Sequence, residues 1–278
     1  VWSLCPYHED TKRPSLSITI SGKYKGCYKC WTCGKRGRLR GDQLKTLKVK
    51  SGNDVGPNLP VKWDKFRQAC VNNLKKYPLL KIQLAKSLNV SEKSLDLWDL
   101  GFDGESFTIP MVRYDNYKFR KNNYFMGMQK RYFDGTKKCV PSSILGYFLP
   151  RKVCFPAIHE LYQNGVYTLF ICEGWTDALA ISDLGLFSIA RPNCNFTCGL
   201  TSVVSVIEDH FSIYRSIVVP DNDKVGRVGA KEVKHILRDN GYMTYIFNFK
   251  GDKDIRDFIL RVGKEKVKEL LSYKEGYR

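Results

Sequence analysis

The sequence predicts an α/β protein built on a largely parallel sheet flanked by helices, preceded by an α+β basic subdomain and a small cysteine-rich β unit. Three observations carry this reading. Tyr167 to Cys172 is a short apolar, β-rich run of the kind buried on both faces of a sheet, and it turns polar at once in Glu173-Gly174. Ser216 to Pro220 repeats the pattern and ends in Asp221-Asn222-Asp223. Cys5-Pro6-Tyr7-His8 and Cys30-Trp31-Thr32-Cys33-Gly34 are half-sites of metal-ligand spacing on either side of a hairpin pattern.

Composition narrows the partners. Apolar residues make up 43% of the 278, which suits a chain folded over most of its length. Lys and Arg outnumber Asp and Glu by 46 to 28, a formal charge of +18, so a broad positive surface is expected and nucleic acid is the first partner to consider. With neither an apolar run long enough to span a bilayer nor a basic amphipathic helix with a clean apolar face, no membrane partner is expected. Of ten cysteines, Cys5, Cys27, Cys30 and Cys33 cluster near the start, which reads as metal rather than as a disulfide framework, and the expected location is cytoplasmic. Cys70, Cys139, Cys154, Cys172, Cys194 and Cys198 read as scattered reduced thiols.

Residues 1–41 are expected to fold as a separate unit. Cys5 and His8 form one knuckle and Cys30 and Cys33 the other, across a short hairpin at Ser15 to Ser21 and Lys23 to Tyr28. Three thiolates and an imidazole complete the tetrahedral shell of Zn²⁺ and leave no position for catalysis, so one structural zinc is expected. So small a segment with so few apolar residues needs the metal to fold. Cys27 with Cys30 is a competing pair. Cys33 is preferred because Gly34 supports the turn that aims backbone N–H groups at sulfur, whereas Cys27 belongs to the second strand. Lys23, Lys25, Lys29, Lys35, Arg36, Arg38 and Arg40 interleave with Tyr24, Tyr28 and Trp31, the pattern of a single-strand binder; the alternative is that these aromatics fill a tiny core.

Residues 42–62 read as a linker, with Lys45, Lys48 and Lys50 followed by Ser51-Gly52-Asn53-Asp54 and Gly56-Pro57. Residues 63–160 read as a basic subdomain. Helices are expected at Trp63 to Lys76, Leu79 to Leu88 and Glu92 to Trp98, the last capped by Ser91. Strands follow at Ser106 to Val112 and Tyr124 to Tyr132, with a turn at Phe133-Asp134-Gly135-Thr136. Lys130, Arg131, Lys137 and Lys138 cluster on that hairpin as candidate nucleic-acid or nucleotide contacts, a solvated basic hairpin being the plainer reading.

Residues 161–278 carry the acids. The run ending in Glu173 leads to a helix from Thr176, its expected cap, to Leu184, with Gly185 as terminator. Asp221 and Asp223 precede Gly226 and Gly229, which lead into an amphipathic helix ending at Asn240-Gly241. A strand at Met243 to Phe247 leads to a third acidic element, Gly251-Asp252-Lys253-Asp254 with Asp257. Carboxylates leaving one edge of a parallel sheet repel one another unless a hard cation such as Mg²⁺ sits among them, and that edge is where ligands bind in open α/β sheets. Solvated turn acids are the alternative. His159, His210 and His235 lack partners at ligand spacing and read as surface or packing residues.

Glu173-Gly174 with Asp177, then Asp221-x-Asp223, resembles the TOPRIM domain of DnaG-type primases, topoisomerases and some nucleases over about Val166 to Asp257. The segment Cys5-Pro6-Tyr7-His8, Arg13-Pro14-Ser15-Leu16 and Tyr28 to Gly34 is similar to the zinc ribbon of DnaG-type and phage primases. The Ile109-Pro110 strand and the Gln129 to Gly146 run more distantly resemble the basic amino-terminal part of the primase catalytic core. Together these imply a primase of phage or mobile-element type, a nucleotidyltransferase that makes short RNA primers on single-stranded DNA with Mg²⁺ or Mn²⁺. The resemblance implies that Asp221 and Asp223 carry metal, that Glu173 completes the shell or acts as general base, that Asp177 orients the turn and that Asp254 or Asp257 holds another metal. It implies binding of template and nucleotide by Lys130, Arg131, Lys137 and Lys138, with Trp31, Lys35 and Arg36 on the ribbon. The implied partners are single-stranded DNA, ribonucleoside triphosphates and a replicative helicase, in a bacterial cell or phage-infected host. A TOPRIM nuclease or topoisomerase, and a non-catalytic zinc-dependent single-strand binder, remain as alternatives.

Overall fold

The structure, a computed structural model, describes residues 2–3, 5, 16–19, 25–30, 33–39, 59–113, 125–150, 166–209, 212–249 and 251–272. The chain divides into two compact units, Val1–Leu59 and Pro60–Arg278.

In the first unit, β1 (Trp2–Ser3), β2 (Leu16–Ile18), β3 (Cys27–Cys30) and β4 (Arg36–Arg38) form an antiparallel sheet in chain order. Among the described residues its core is Cys5, Leu16, Ile18 and Cys30, with Tyr28 and Leu39 packed against them. Tyr28 lies across β4, and a Cβ added at Gly37 would meet its hydroxyl at 2.7 Å. It is therefore a packing residue, as the core alternative for the ribbon aromatics allows.

The second unit opens with α1 (Leu59–Leu74), which begins inside the stretch expected as linker and has Pro60 in its first turn, where a missing N–H costs nothing. Helix α2 (Pro78–Leu88) follows, closed by Asn89 in the left-handed region at φ 54°. Then comes α3 (Glu92–Leu97), on which Ser91 Oγ accepts from the Ser94 N–H, the expected cap. Strands β5 (Gly101–Phe102), β6 (Phe107–Val112), β7 (Phe125–Arg131) and β8 (Lys137–Cys139) pair antiparallel in chain order.

The acid-bearing part alternates β9 (Val166–Cys172), α4 (Trp175–Asp183), β10 (Ser188–Ala190), α5 (Leu200–Glu208), β11 (Ser212–Val219), α6 (Lys224–Asp239), β12 (Thr244–Ile246), α7 (Ile255–Val262) and α8 (Lys264–Ser272). Its four strands are parallel in the order β10-β9-β11-β12. Two boundaries differ from expectation. Strand β11 starts at Ser212, four residues before the apolar run, because buried Arg215 beside a bulge donates from Nε to Thr168 Oγ1 at 2.9 Å and so enters the sheet satisfied. Thr176 is not a cap; Gly174 takes that position in extended backbone without a side-chain hydrogen bond, and Thr176 is buried in the first turn.

The two sheets meet at one strand edge. Phe148 and Ala190 exchange backbone hydrogen bonds of 2.9 Å each, while Val112 pairs with Tyr147. One core then runs under both sheets, joining Trp98, Met111 and Phe148 to Trp175, Leu179, Ile217 and Phe258. Among the described residues, no helix is long and apolar enough to cross a membrane.

Candidate functional site

At the carboxyl edge of the parallel sheet, β9 leads to Glu173 and β11 to Asp221, with neighbouring registers Val219↔Cys172 holding the two exits side by side. The third acidic element is tied to the second: Asn222 donates from its backbone to Lys253 O at 2.8 Å and from Nδ2 to Asp252 O at 3.0 Å. Glu173, Asp177, Asp221, Asp223 and Asp254 are thereby gathered at one edge.

Their electrostatics are those of crowded acids. Asp221 is pushed up to about 7, by burial first and then by Asp177, Glu173, Asp254 and Asp223. Burial also raises Glu173, against the Asp221 backbone N–H and the Arg191 charge, which lower it. The Glu173 Oε2 atom is buried without a hydrogen-bond partner. It rests on the first turn of α6, where a Cβ added at Gly226 would meet it at 2.9 Å and Asp221 O at 2.5 Å. Asp223 caps the same helix, Oδ1 accepting from the Gly226 N–H at 2.6 Å. Glu173 Oε2, orphaned beside Asp221 and Asp223, is an oxygen donor of the kind a hard divalent cation takes, although among the described residues only Cys5, Cys30 and Cys33 bring three ligand atoms within 4.8 Å of one another.

Asp177 and Asp254 are differently engaged. Asp254 caps α7, accepting from the Arg256 and Asp257 N–H groups at 3.0 Å each. Arg256 donates to both acids, to Asp177 Oδ1 at 2.8 Å and Asp254 Oδ2 at 2.6 Å. Burial pushes Asp177 up while Arg256 pulls it down. Burial opposes the Arg256 charge, but the two carboxylates outweigh it and its pKa is raised. Asp257 is exposed on α7 and is not among the carboxylates that act most strongly on Asp221.

The four basic residues of the hairpin divide by strand pleat. Arg131 lies opposite Lys137 and Lys130 opposite Lys138, so the pairs occupy opposite faces. The Lys137 stem is exposed, but its ammonium is tucked toward the acids, 3.1 Å from Thr176 Oγ1 and 5.6 Å from the centre of the Trp175 ring. Burial of that head, opposed by Asp177 and assisted by Arg256 and Arg131, lowers its pKa. Gln129 shares this face and accepts from Trp175 Nε1 at 2.9 Å, locking the hairpin to α4. Arg131 donates to Gly135 O at 3.1 Å and is held in the same electrostatic group. On the other face Lys130 pairs with Asp103 at 2.5 Å, and Lys138 lies 5.6 Å from the centre of the Tyr132 ring. Lys130 and Lys138 thus do not join the acidic cluster.

In the first unit the ligand atoms of Cys5, Cys30 and Cys33 lie within 4.8 Å of one another, and Cys27 is outside that group. The Cys33 N–H points at Cys30 Sγ from 3.4 Å, with Gly34 at φ +74° completing the turn. Lys35 and Arg36 are exposed, while His8 and Trp31 lie outside the described residues. His235 is exposed and 3.3 Å from Asp239, as a surface histidine would be, and His159 and His210 also lie outside the described residues. The two loop cysteines are separately engaged, Cys194 toward Glu173 and Cys198 accepting from Arg113 at 3.0 Å.

Sequence reasoning missed Arg256, Arg191, Gln129 and Asn222. Arg191 is fully buried after β10, donates to Cys194 O at 2.5 Å and lends its charge to Glu173. Its one signal was position, a basic residue straight after the short Ser188–Ala190 run.

Residues 170–259 match the family described as Toprim-like. No curated protein matches the sequence. Among solved structures, the zinc-binding and RNA polymerase domains of the Aquifex aeolicus primase share 18% identity at a TM-score of 0.56, over 97% of this chain and 77% of that one. The RNA polymerase domain of Mycobacterium tuberculosis primase DnaG shares 13% at 0.54, over 77% and 82%. The same domain in complex with double-stranded DNA gives 14% and 0.54, over 77% and 80%. The chain therefore carries a Toprim-like domain at residues 170–259 within the fold of primase zinc-binding and polymerase domains.

Proposed function

We propose that this chain is a DNA primase, synthesising short RNA primers on a single-stranded DNA template from ribonucleoside triphosphates. The observation that carries the reading is the meeting of opposite charges: Asp177 and Asp221 at the sheet edge, with Lys137 from a different sheet acting on both and Arg131 beside it acting on Asp177. Acids alone serve a nuclease equally well. Acids facing cations at short range suit a polyphosphate substrate, whose leaving group needs neutralising.

In the reaction the primer 3′-hydroxyl oxygen bonds to the α-phosphorus, the bond to the β-bridging oxygen breaks, pyrophosphate leaves and the hydroxyl proton is lost. Glu173, Asp221 and Asp223 would hold Mg²⁺ or Mn²⁺, which when bound would supply Lewis acidity toward that hydroxyl and toward the phosphate oxygens. Glu173, whose Oε2 has no hydrogen-bond partner, would accept the proton or hold the metal. Asp177 braces the turn, its backbone N–H on Gly174 O at 3.2 Å. Lys137 and Arg131 bind the phosphates. Cys5, His8, Cys30 and Cys33 hold one structural zinc, and Lys35, Arg36 and Trp31 contact the template strand. A replicative helicase is a further partner.

Incubation with single-stranded DNA, labelled ribonucleotides and Mg²⁺ or Mn²⁺ tests this. Short labelled RNA is expected from the native chain and a loss of at least 100-fold from Asp221→Asn with Asp223→Asn. DNA cleavage without RNA would move the chain to the nuclease alternative.

A further inference from the structure

The acidic cluster is not uniform. Asp177 and Asp254 have side chains only 9% and 6% exposed, and both are bridged by one guanidinium, Arg256, at 2.8 and 2.6 Å. Arg256 sits two residues into the turn that Asp254 itself caps, so backbone and side chain hold it to the same carboxylate. The charge is permanent, because guanidinium does not lose its proton in proteins. Among the described residues no ion pair reaches Glu173, Asp221 or Asp223: Arg191 acts on Glu173 and Lys137 on Asp221 only through charge, Glu173 Oε2 is orphaned, and Asp223 spends one oxygen on a helix cap. A divalent ion entering the Asp177–Asp254 half would have to displace Arg256 and leave it unpaired among Arg131 and Lys137, the two cations already acting on its surroundings.

We propose that Arg256 is a built-in cation occupying the Asp177–Asp254 half of the cluster, so that the native chain takes a single divalent ion, at Glu173, Asp221 and Asp223. Five carboxylates without Arg256 would hold two. The assignment rests on the metal-dependent reading above and divides its ligands: Asp254 acts as Arg256's partner and as a helix cap instead of as a metal ligand. Arg256 is a positioning residue, acting through the two acids it holds.

Mn²⁺ titration of the full zinc-loaded chain, with free Mn²⁺ followed by electron paramagnetic resonance, decides the matter without any turnover. The native chain should bind one Mn²⁺, and Asp221→Asn with Asp223→Asn should lose it. Arg256→Gln should bind two, and adding Asp254→Asn to it should return the count to one. Two ions in the native chain, or one ion unchanged in folded Arg256→Gln, would overturn the assignment while leaving a metal-dependent enzyme intact. Should Arg256→Gln not fold, the native count and Asp254→Asn decide: a native count of one that Asp254→Asn leaves at one agrees with the proposal, and a count that Asp254→Asn lowers overturns it. No Mn²⁺ bound by the native chain would overturn the metal-dependent reading and this assignment together.

Discussion

Asp221 shows what a single residue in the cluster contributes. Its pKa near 7 in the folded chain stands about three units above the value of an unfolded aspartate. Between those values the native state holds a proton that the unfolded state has lost, so the contribution is fully present below about pH 4 and is gone once pH has risen through 7. Glu173 and Asp177 shift in the same direction and add to it. Metal-free chain should therefore melt at progressively lower temperature from pH 5 to 7 and level off above, with a shallower fall in Asp221→Asn. Added Mg²⁺ should stabilise more at pH 8 than at pH 6, because it competes with that proton. A flat metal-free profile would mean that Asp221 is solvated. The two hairpin lysines make the companion test. Lys137→Ala should cut primer synthesis 10-fold or more with folding intact, since its ammonium lies at Thr176. Lys130→Ala should leave synthesis near native and cost about 1 kcal/mol in urea unfolding, by unpairing Asp103. Equal activity losses would show that both lysines serve the substrate.

Elements bring these residues together by close approach as much as by pattern. Helix α6 has glycine at 226 and 229 inside its first turns, where helix propensity alone says that alanine would gain about 1 kcal/mol. The structure reverses that sign. A Cβ at 226 meets Asp221 O and Glu173 Oε2, and one at 229 runs into the Cys194 carbonyl. Asp221 and Glu173 follow directly on core strands and the Cys194 carbonyl accepts from buried Arg191, so none of them moves aside cheaply. Gly226→Ala should thus be destabilising in urea unfolding and should weaken Mn²⁺ binding at least 10-fold. A more stable variant with unchanged metal affinity would show that the helix start is free to shift. Short helix α3 depends instead on its cap, and Ser91→Ala should cost about 1 kcal/mol through the orphaned Ser94 N–H. Asp183, accepting from the Ser91 N–H and Ser94 Oγ at 2.7 Å each and from Lys264 Nζ at 2.6 Å, ties that cap to α4 and α8.

At the scale of the molecule, two units rest on different stabilisers. The larger buries one core beneath two sheets, whereas the smaller has, among the described residues, four buried core residues, two of them the cysteines Cys5 and Cys30. Removing zinc should unfold residues 1–41 and leave the larger unit protected, read by amide hydrogen exchange with and without a chelator. Unchanged protection in the first unit would separate its fold from metal. Cys33→Ala should lose the zinc and Cys27→Ala should keep it. The formal +18 predicts single-strand binding whose log–log salt dependence is steeper than about −2, at about −0.7 per phosphate contacted, and a flat line would remove the nucleic-acid partner.

The strand-then-acid pattern was legible in the sequence because burial on both faces demands an unbroken apolar run, and a polar residue straight after it has to lie at the sheet's edge. Glu173, Asp221, the antiparallel hairpin at Phe133 to Thr136 and the Cys-x-x-Cys turn could all be read in this way, each being a local consequence of period and spacing. What needed three dimensions was every choice of partner. Nothing in Gly251 to Asp257 says that Arg256 reaches back to Asp177, nor does anything near Arg191 say that its charge acts on Glu173, since both interactions join separate elements of the fold. Likewise the pleat, which the hairpin's charge count does not reveal, sent Arg131 and Lys137 toward the acids and Lys130 away to Asp103. Local sequence sets which groups are available at an edge, and tertiary packing decides which of their charges are neutralised from within and which remain for a ligand.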